Sequence, residues 1–504
     1  MSSTTVGTER VGKIVGYGIT KGNFSNSTPN LPQRIAILAE ANEANQATVD
    51  FTVPTEITSA QQAGTVFGFG SPVYQIARIL KPISGNGTGG IPIFVYPQAK
   101  AVGATSKKWR ITPAGTATGN ATHTVIVGGR TSLDGQSYDI NIVSGDTVSI
   151  ISGKIQDAIN AVIGCPLSGS SFGYDVDLES KWKGLTANGI TVSVNTNSNA
   201  VGISYTVTSV QTAAGTPSIS ASLALFGNTW NTIVVNSYGT ESSTVSLLNA
   251  FNGIPSASNP TGRFVGTLMK PIIAVTGSVA DNEATFTDAL LNDVTIAIAP
   301  APLSKGLAME AAANMTVLFA RQAQDNPHLD VSGSAYPDMP TPDSIGTMSA
   351  YDSRDTYVKK GCTTVDLVNG KYQVEDFVTT YHPTVELPPQ FRYCRNLMLD
   401  FNIRFAYYLL EQINVINHAI AADQDIVSAV DVIKPKQWKQ LVGKMFDDLA
   451  NRGLIADVPF SQDSLVVNIS TTNPDRFETF YRYKRTGFVR IASTTAEAGF
   501  NFGN

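Results

Sequence analysis

From Leu31 onward, short apolar runs alternate with stretches of helical periodicity, and this alternation constrains the fold more than any other feature of the chain. Residues 34–39 read as a short buried strand. Ser71 is an N-cap followed by Pro72 at the first helical position, and Val73, Ile76, Ala77 and Leu80 then share one face. Residues 91–96 form the next strand. The rhythm resumes later with a helix over 245–251, a strand over 272–276, a helix over 283–291, a strand over 294–299 and a helix over 305–324. Strands separated by helices of this length predict a mostly parallel sheet covered on both faces.

Between 107 and 226 the composition shifts to Thr, Ser, Gly and Val. Strands at 124–128 and 138–143 flank a turn segment, and Gly145-Asp146-Thr147 opens a helix. Its apolar positions are Ile150, Ile151, Ile155, Ala158, Ile159 and Val162. A further hairpin is expected from 190–194 with 202–207. The stretch reads as a β-rich domain inserted in a loop of the α/β domain, facing outward as such insertions do.

Downstream, Pro337, Pro340 and Pro342 mark an extended passage, and strands at 362–368 and 372–378 flank Asn369-Gly370, a strong hairpin signal. Helices follow at 396–420 and 436–451. In the second, Trp438, Leu441, Val442, Met445 and Leu449 form the apolar stripe, ended by Gly453. Strands at 464–470 and 477–492 complete a compact unit. Residues 1–30 carry one β-like patch at 13–19 and have no core of their own; such an arm either frays or adds a strand to a neighbour's sheet. The fold class is multidomain α/β. The expected parts are a core at 31–106 and 227–378, the β-rich insertion at 107–226, a C-terminal α/β domain at 379–484, and terminal arms at 1–30 and 485–504.

Charged residues make up only 15% of the 504, well below the usual quarter, and hydroxyl-bearing side chains, Asn and Gly fill the gap. That surface suits a protein covered by copies of itself, where each buried charge would need a partner. A net charge of −5 gives no overall attraction to nucleic acid. The first residues lack the apolar run of a signal peptide, and the most apolar region, 397–420, is broken by Asp400, Arg404 and Glu411, so a soluble chain without membrane insertion is expected. Cys165, Cys362 and Cys394 form no CxxC pair; they read as unpaired thiols, or as partners in disulfides between subunits, since Gly164-Cys165-Pro166 has the look of an exposed turn.

No catalytic pattern emerges. Gly85-Asn86-Gly87-Thr88-Gly89-Gly90 fits GxGxxG, but a dinucleotide fingerprint needs a strand before it and a helix after, and here the order is reversed. His123, His328, His382 and His418 have no context that pairs them with a nucleophile. HExxH, the P-loop and the GxSxG elbow are missing. Asp423/Asp425 and Asp447/Asp448 lie at helix ends or on a polar face, where solvation explains them. Neither a cofactor nor a metal site is expected.

Several segments carry a family resemblance: the GTAT run at 115–118, the strand end Gly129-Arg130, the Ser-Gly-Asp-Thr helix start at 144–147, Trp230 to Val235, DNPHL at 325–329, Pro340-Thr341-Pro342, the strand at 373–380 running into TTYHP, and Arg395-Asn396-Leu397. In order and spacing they resemble contractile tail sheath proteins of Mu-like myophages. The resemblance implies a three-layer α/β core of the kind named subtilisin-like. Gly346-Thr347-Met348-Ser349-Ala350 departs from the protease nucleophile segment, with Met where the serine should stand. It further implies a virion protein made in the host cytoplasm. Its copies would stack as hexameric rings around a tail tube, meet baseplate and tail terminator proteins, and contract to drive the tube through the host envelope without a nucleotide site. A non-contractile surface protein with a β-rich decoration is the alternative.

Contraction without dissociation needs tethers. The arm positions Val11, Lys13, Ile14, Val15, Tyr17 and Ile19, and Gly487, Phe488, Val489, Arg490 and Ile491, are the candidates, with Leu465, Val466, Val467 and Ile469 in the receiving strand. Lys434, Lys436, Lys439 and Lys444 crowd the start of a helix, where they oppose the macrodipole. They are either a solvated basic face or the surface that meets an acidic tube.

Overall fold

The computed structural model describes residues 29–256, 258–386 and 389–498, which divide into two compact units. One comprises Leu31–Arg404 and the chain after Lys484; the other comprises Phe405–Lys484 with the described residues up to Asn30. The sequence reading put the C-terminal boundary at 379. The structure ties 379–393 to the first unit instead: Thr380 N–H donates to Ile296 O (2.9 Å), His382 N–H to Leu291 O (2.9 Å), and Val378 bridges to Tyr393.

The first unit is built on a six-stranded sheet. Its order is Ile296–Pro300, Ile273–Ser278, Ile233–Asn236, Ile35–Glu40, Ile93–Gln98 and Thr55–Ile57. All pairs are parallel except the last, at the edge. Ile35–Glu40, Ile233–Asn236 and Ile273–Ser278 are buried at every position, as a sheet covered on both faces requires. Helices Pro72–Leu80 and Ala308–Asp325 pack on each other and on one face. The other face joins Ala36, Leu38, Tyr96, Val234 and Ile298 to Ile219, Leu223, Phe226, Val245 and Leu248. The arrangement is three-layered. Gly277 permits its closest approach, since a Cβ there would sit 1.7 Å from Ala308 O at the start of the long helix.

Residues 105–214 build two larger antiparallel sheets, beside a small hairpin of Ser132–Leu133 with Gln136–Ser137. Ser204–Gln211, Lys108–Ala114, Asp175–Ser180 and Leu167–Phe172 form one; Val192–Asn195, Ala121–Val127 and Asp139–Ile142 form the other. Helix Val148–Ala161 packs on both, burying Ile151, Ile155 and Ile159 and leaving Ile150 exposed. The hairpin expected from 190–194 with 202–207 is corrected. Val192–Asn195 pairs with Ala121–Val127, whereas Ser204–Gln211 pairs with Lys108–Ala114. Each strand finds a better-matched partner from earlier in the chain, in a different sheet. The Asn369-Gly370 hairpin forms as read: both residues have positive φ (50° and 70°) between Thr364–Val368 and Lys371–Asp376.

Four charged side chains join this segment to the sheet-covering helices, with Arg78 and Glu310 buried, Arg130 half-buried and Asp338 open to solvent on one side. Arg78, on helix Pro72–Leu80, pairs with Glu310 and Asp338. Arg130, on the turn after Ala121–Val127, reaches the same two carboxylates at 3.0 and 3.2 Å. Glu310 also accepts the Leu307 N–H (2.9 Å), and Asn314 and Asp338 exchange two 2.8 Å bonds. Burial pushes the Glu310 carboxyl up, but Arg130 and Arg78 outweigh it and hold the group below its ordinary range; Asp338 behaves likewise.

Another buried carboxyl has no such support. Glu40, 1% exposed at the end of its strand, packs on Gly184, where a Cβ would fall 3.0 and 3.2 Å from the two carboxylate oxygens. Gly184 N–H donates to Thr105 O (3.1 Å) and Leu185 N–H to Gly215 O (2.8 Å), so the carboxyl sits where the chain enters and leaves the two antiparallel sheets. Its Oε1 has no hydrogen-bond partner, and burial alone pushes its pKa up to about 8.

Glu310→Gln removes the anion shared by the Arg78 and Arg130 guanidinium groups and is expected to cost about 3–5 kcal/mol in unfolding free energy by chemical denaturation; no loss would mean that the cluster is bypassed. Glu40 acts with the opposite sign. A raised carboxyl contributes nothing below its unfolded value of 4.5, costs stability progressively as pH rises towards 8, and then levels off. At about 1.4 kcal/mol per pH unit, Glu40→Gln should recover roughly 4 kcal/mol at pH 8 and nothing at pH 4. Parallel melting curves of variant and parent across that range would contradict this.

Candidate functional site

The C-terminal unit places the expected assembly residues. Helix Pro435–Asn451 buries Trp438, Val442, Met445, Phe446 and Leu449, and Gly453 follows with a φ of 70°. Against its buried face lies an aromatic cluster that the sequence did not reveal: Tyr407 stacks near Trp438 (5.8 Å between centroids) and Tyr481 near Tyr407 (5.5 Å) and Phe446 (5.3 Å). Trp438 Nε1–H donates to Thr479 Oγ1 (3.1 Å), fixing the hairpin that follows.

That hairpin pairs Val466–Ile469 with Phe477–Phe480 antiparallel, Val466 opposite Phe480 and Ile469 opposite Phe477. Val467, Ile469, Phe477 and Thr479 are half-buried, while Val466, Asn468, Glu478 and Phe480 are exposed. Among the described residues neither strand has a second neighbour, so each presents an open edge. Two expectations are corrected here. Leu465 is not in the strand; it is buried and ends helix Val458–Ser464, which Asp457 caps by accepting the Phe460 N–H. The strand expected over 477–492 stops at Phe480, because Tyr481 turns its ring into the aromatic cluster. Lys484–Arg485 form a separate short strand, and Gly487, Phe488, Val489, Arg490 and Ile491 lie outside any strand. Val11, Lys13, Ile14, Val15, Tyr17 and Ile19 fall outside the described residues.

Three of the four lysines share a surface. Lys436, Lys439 and Lys444 line a shallow depression of about 440 Å³ with Gln440, Asp447 and Gln462, floored by Leu465. All three are exposed, and none takes part in an ion pair among the described residues. Lys434 is drawn elsewhere: its ammonium reaches Asp425 O, and its N–H donates to Gln437 Oε1 (3.0 Å). Asp423 accepts the Lys436 N–H (2.9 Å), placing a carboxylate where the helix dipole favours one. Asp423 lies well before Pro435 in the chain, so no local sequence signal points to this cap.

The remaining candidates are dispersed. Cys165, Cys362 and Cys394 are all buried, and burial pushes each thiol up. The exposed turn expected at Cys165 is therefore corrected: its Sγ lies inside the first unit, against Leu167 N–H. His123 is enclosed between Tyr205 OH (2.6 Å) and Asn199 O (2.9 Å), and His382 lies between Thr380 O (2.6 Å) and Asp288 (3.3 Å). Gly346–Ser349 is a 3-10 turn. The glycine cluster links helix Pro72–Leu80 to strand Ile93–Gln98, with Thr88 bonded back to Leu80 O. Among the described residues no group of three His, Cys, Asp or Glu could hold a metal, and no helix is long and apolar enough to cross a membrane.

No family model matches the chain. It is 22% identical over 430 residues to the Mu-like prophage FluMu tail sheath protein of Haemophilus influenzae, covering 83% of this chain and 84% of that one. Among solved structures, a sheath tail protein from Desulfitobacterium hafniense aligns with a TM-score of 0.46 at 11% identity, over 93% of this chain and all of the other. A chain of the anti-feeding prophage baseplate aligns at 0.44 and 9% identity, over 97% and 100%. The chain is thus related, over most of its length, to a protein of the kind its sequence resembles.

Proposed function

We propose that this relative of the Mu-like prophage tail sheath protein is the structural subunit of a contractile tail sheath. The observation that carries the reading is a match spanning most of both chains, which leaves little room for a different domain plan. Its copies stack as hexameric rings around a tail tube, meet the baseplate and tail terminator, and contract to drive the tube through the host envelope. The free energy is stored in assembly, so the subunit needs no active site or cofactor. It is made in the host cytoplasm and functions in the virion.

In this reading the core expected at 31–106 and 227–378 extends to 404, the inserted outer domain expected at 107–226 gives its last residues, 219–226, to the core, and the C-terminal domain expected at 379–484 begins at 405. The arms at 1–30 and 485–504 tether neighbours by adding strands to the hairpin Val466–Ile469/Phe477–Phe480, whose open edges support the assignment. The face carrying Lys436, Lys439 and Lys444 meets an acidic tube surface; its unpaired exposed ammonium groups suit a weak, salt-sensitive contact.

Negative-stain electron microscopy of the purified chain is expected to show striated tubes or stacked rings that disappear when residues 1–20 are deleted. A monodisperse monomer that stays so with tail tube added would reject the sheath reading in favour of a non-contractile decoration. Lys436→Glu with Lys439→Glu should weaken co-sedimentation with tubes about tenfold at low ionic strength and much less at high salt. Equal binding at low salt would remove the lysine face from the tube contact.

A further inference from the structure

In the segment after Lys484, Arg490 turns inward, whereas Phe488 is 37% exposed and Val489 and Ile491 are 84% and 87% exposed. Arg490 is held by the chain's own first unit. Arg490 pairs with Asp330 and with Asp376, two acidic residues far apart in sequence. Its guanidinium stacks 4.1 Å from the Tyr393 ring and 5.2 Å from Phe488. Asp330 is only 2% exposed, so this is an enclosed ion pair and not a surface one.

The base of the segment is fastened as well. Arg485 makes a two-pronged contact with Asp400, at 2.7 and 2.6 Å, and Arg395 donates to Thr486 O (3.0 Å) and Thr486 Oγ1 (2.9 Å). The segment lies along a groove walled by Asp330, Pro389, Tyr393 and Arg395, and a space of about 320 Å³ remains between that wall and Thr486, Gly487, Phe488 and Arg490.

We infer that this groove is a docking surface for the chain's own C-terminal segment, and that docking in cis withholds the C-terminal arm from neighbouring copies until assembly. The inference rests on the sheath reading and concerns its regulation. An arm joining a neighbour's sheet must lay its backbone along that sheet's edge, which it cannot do while Arg490 is held to Asp330, Asp376 and Tyr393. Val489 and Ile491 are apolar and β-branched, and among the described residues they have no cover. Arg395 lines the same groove as Asp330, so a cation stays near that carboxylate when Arg490 leaves. The cost of opening, the loss of the Arg490 contacts, falls on the free subunit.

The full chain is tested as free subunits and in assembly, comparing the parent with Arg490→Gln. Because that change removes the chief partner of a buried carboxylate, Asp376→Asn, which keeps the Arg490–Asp330 pair, is run beside it. Expected are about tenfold faster chymotryptic cleavage at Phe488 in the free Arg490→Gln subunit and a several-fold lower critical concentration for polymerisation, with Asp376→Asn changed in the same direction but less. Unchanged cleavage in both variants overturns the docking. Faster cleavage with an unchanged or higher critical concentration overturns the withholding role. Failure of the sheath reading would appear separately, as a parent chain that never polymerises.

Discussion

The four-charge cluster of Arg78, Arg130, Glu310 and Asp338 decides how the layers of the first unit meet. Removing Arg78 and Glu310 from water is costly, and the attraction offsets it only if their half-buried partner Arg130 and the more exposed Asp338 are both in place. Here each arginine touches both carboxylates, Glu310 is further held by the Leu307 N–H, and the Asp338 backbone is clamped by Asn314. The four residues come from a helix on the sheet, a turn between antiparallel strands, the long helix and a proline-rich passage. Apolar packing tolerates small slips between layers; a partly buried charge array of this kind does not. The cluster therefore sets the angle at which residues 105–214 stand on the core, while Glu40 beneath the same junction makes that setting sensitive to pH.

What could be read from the sequence was local in origin. Helical spacing after Ser71-Pro72, the fully apolar strands and the Asn369-Gly370 turn are properties of a few consecutive residues, and the structure returns each of them. The misreadings concern partners. Nothing near residues 192–195 or 204–211 reveals that they join different sheets, because pairing is settled by which edges are free when the segment folds. Residues 477–492 alternate like a strand, but a ladder needs a neighbour, and Tyr481 leaves the line to fill an aromatic core that Tyr407 and Phe446 begin. Glu40 lies just past the strand read over 34–39, and it packs on chain that returns some 140 residues later at Gly184, which nothing local reveals.

The candidate site was legible to a similar depth. The lysine-rich helix start stood out because lysines there oppose the macrodipole; the structure adds the Asp423 cap that makes the arrangement tolerable and removes Lys434 from the shared face. Leu465, expected to pair in the strand, instead floors the lysine surface. The two features differ physically. An open strand edge binds through backbone groups, tolerates many sequences and is little affected by salt, whereas exposed ammonium groups act over a Debye length and weaken as salt rises.

On the proposed reading, that difference has a mechanical use. A contracting lattice must keep its subunits joined while releasing its hold on the tube, so the permanent contacts should be backbone ladders and the transient one should be electrostatic. The open hairpin and the lysine face sit in the same unit but satisfy these opposite demands separately. A lattice built from ladders has a further problem, because open edges and free arms also polymerise without a tube. An arm whose Arg490 is paired with its own subunit's Asp330 and Asp376 must exchange those contacts before it can join a neighbour, and that exchange becomes favourable only when several contacts form together. Cooperative growth on a template then outruns spontaneous growth without any chemical switch.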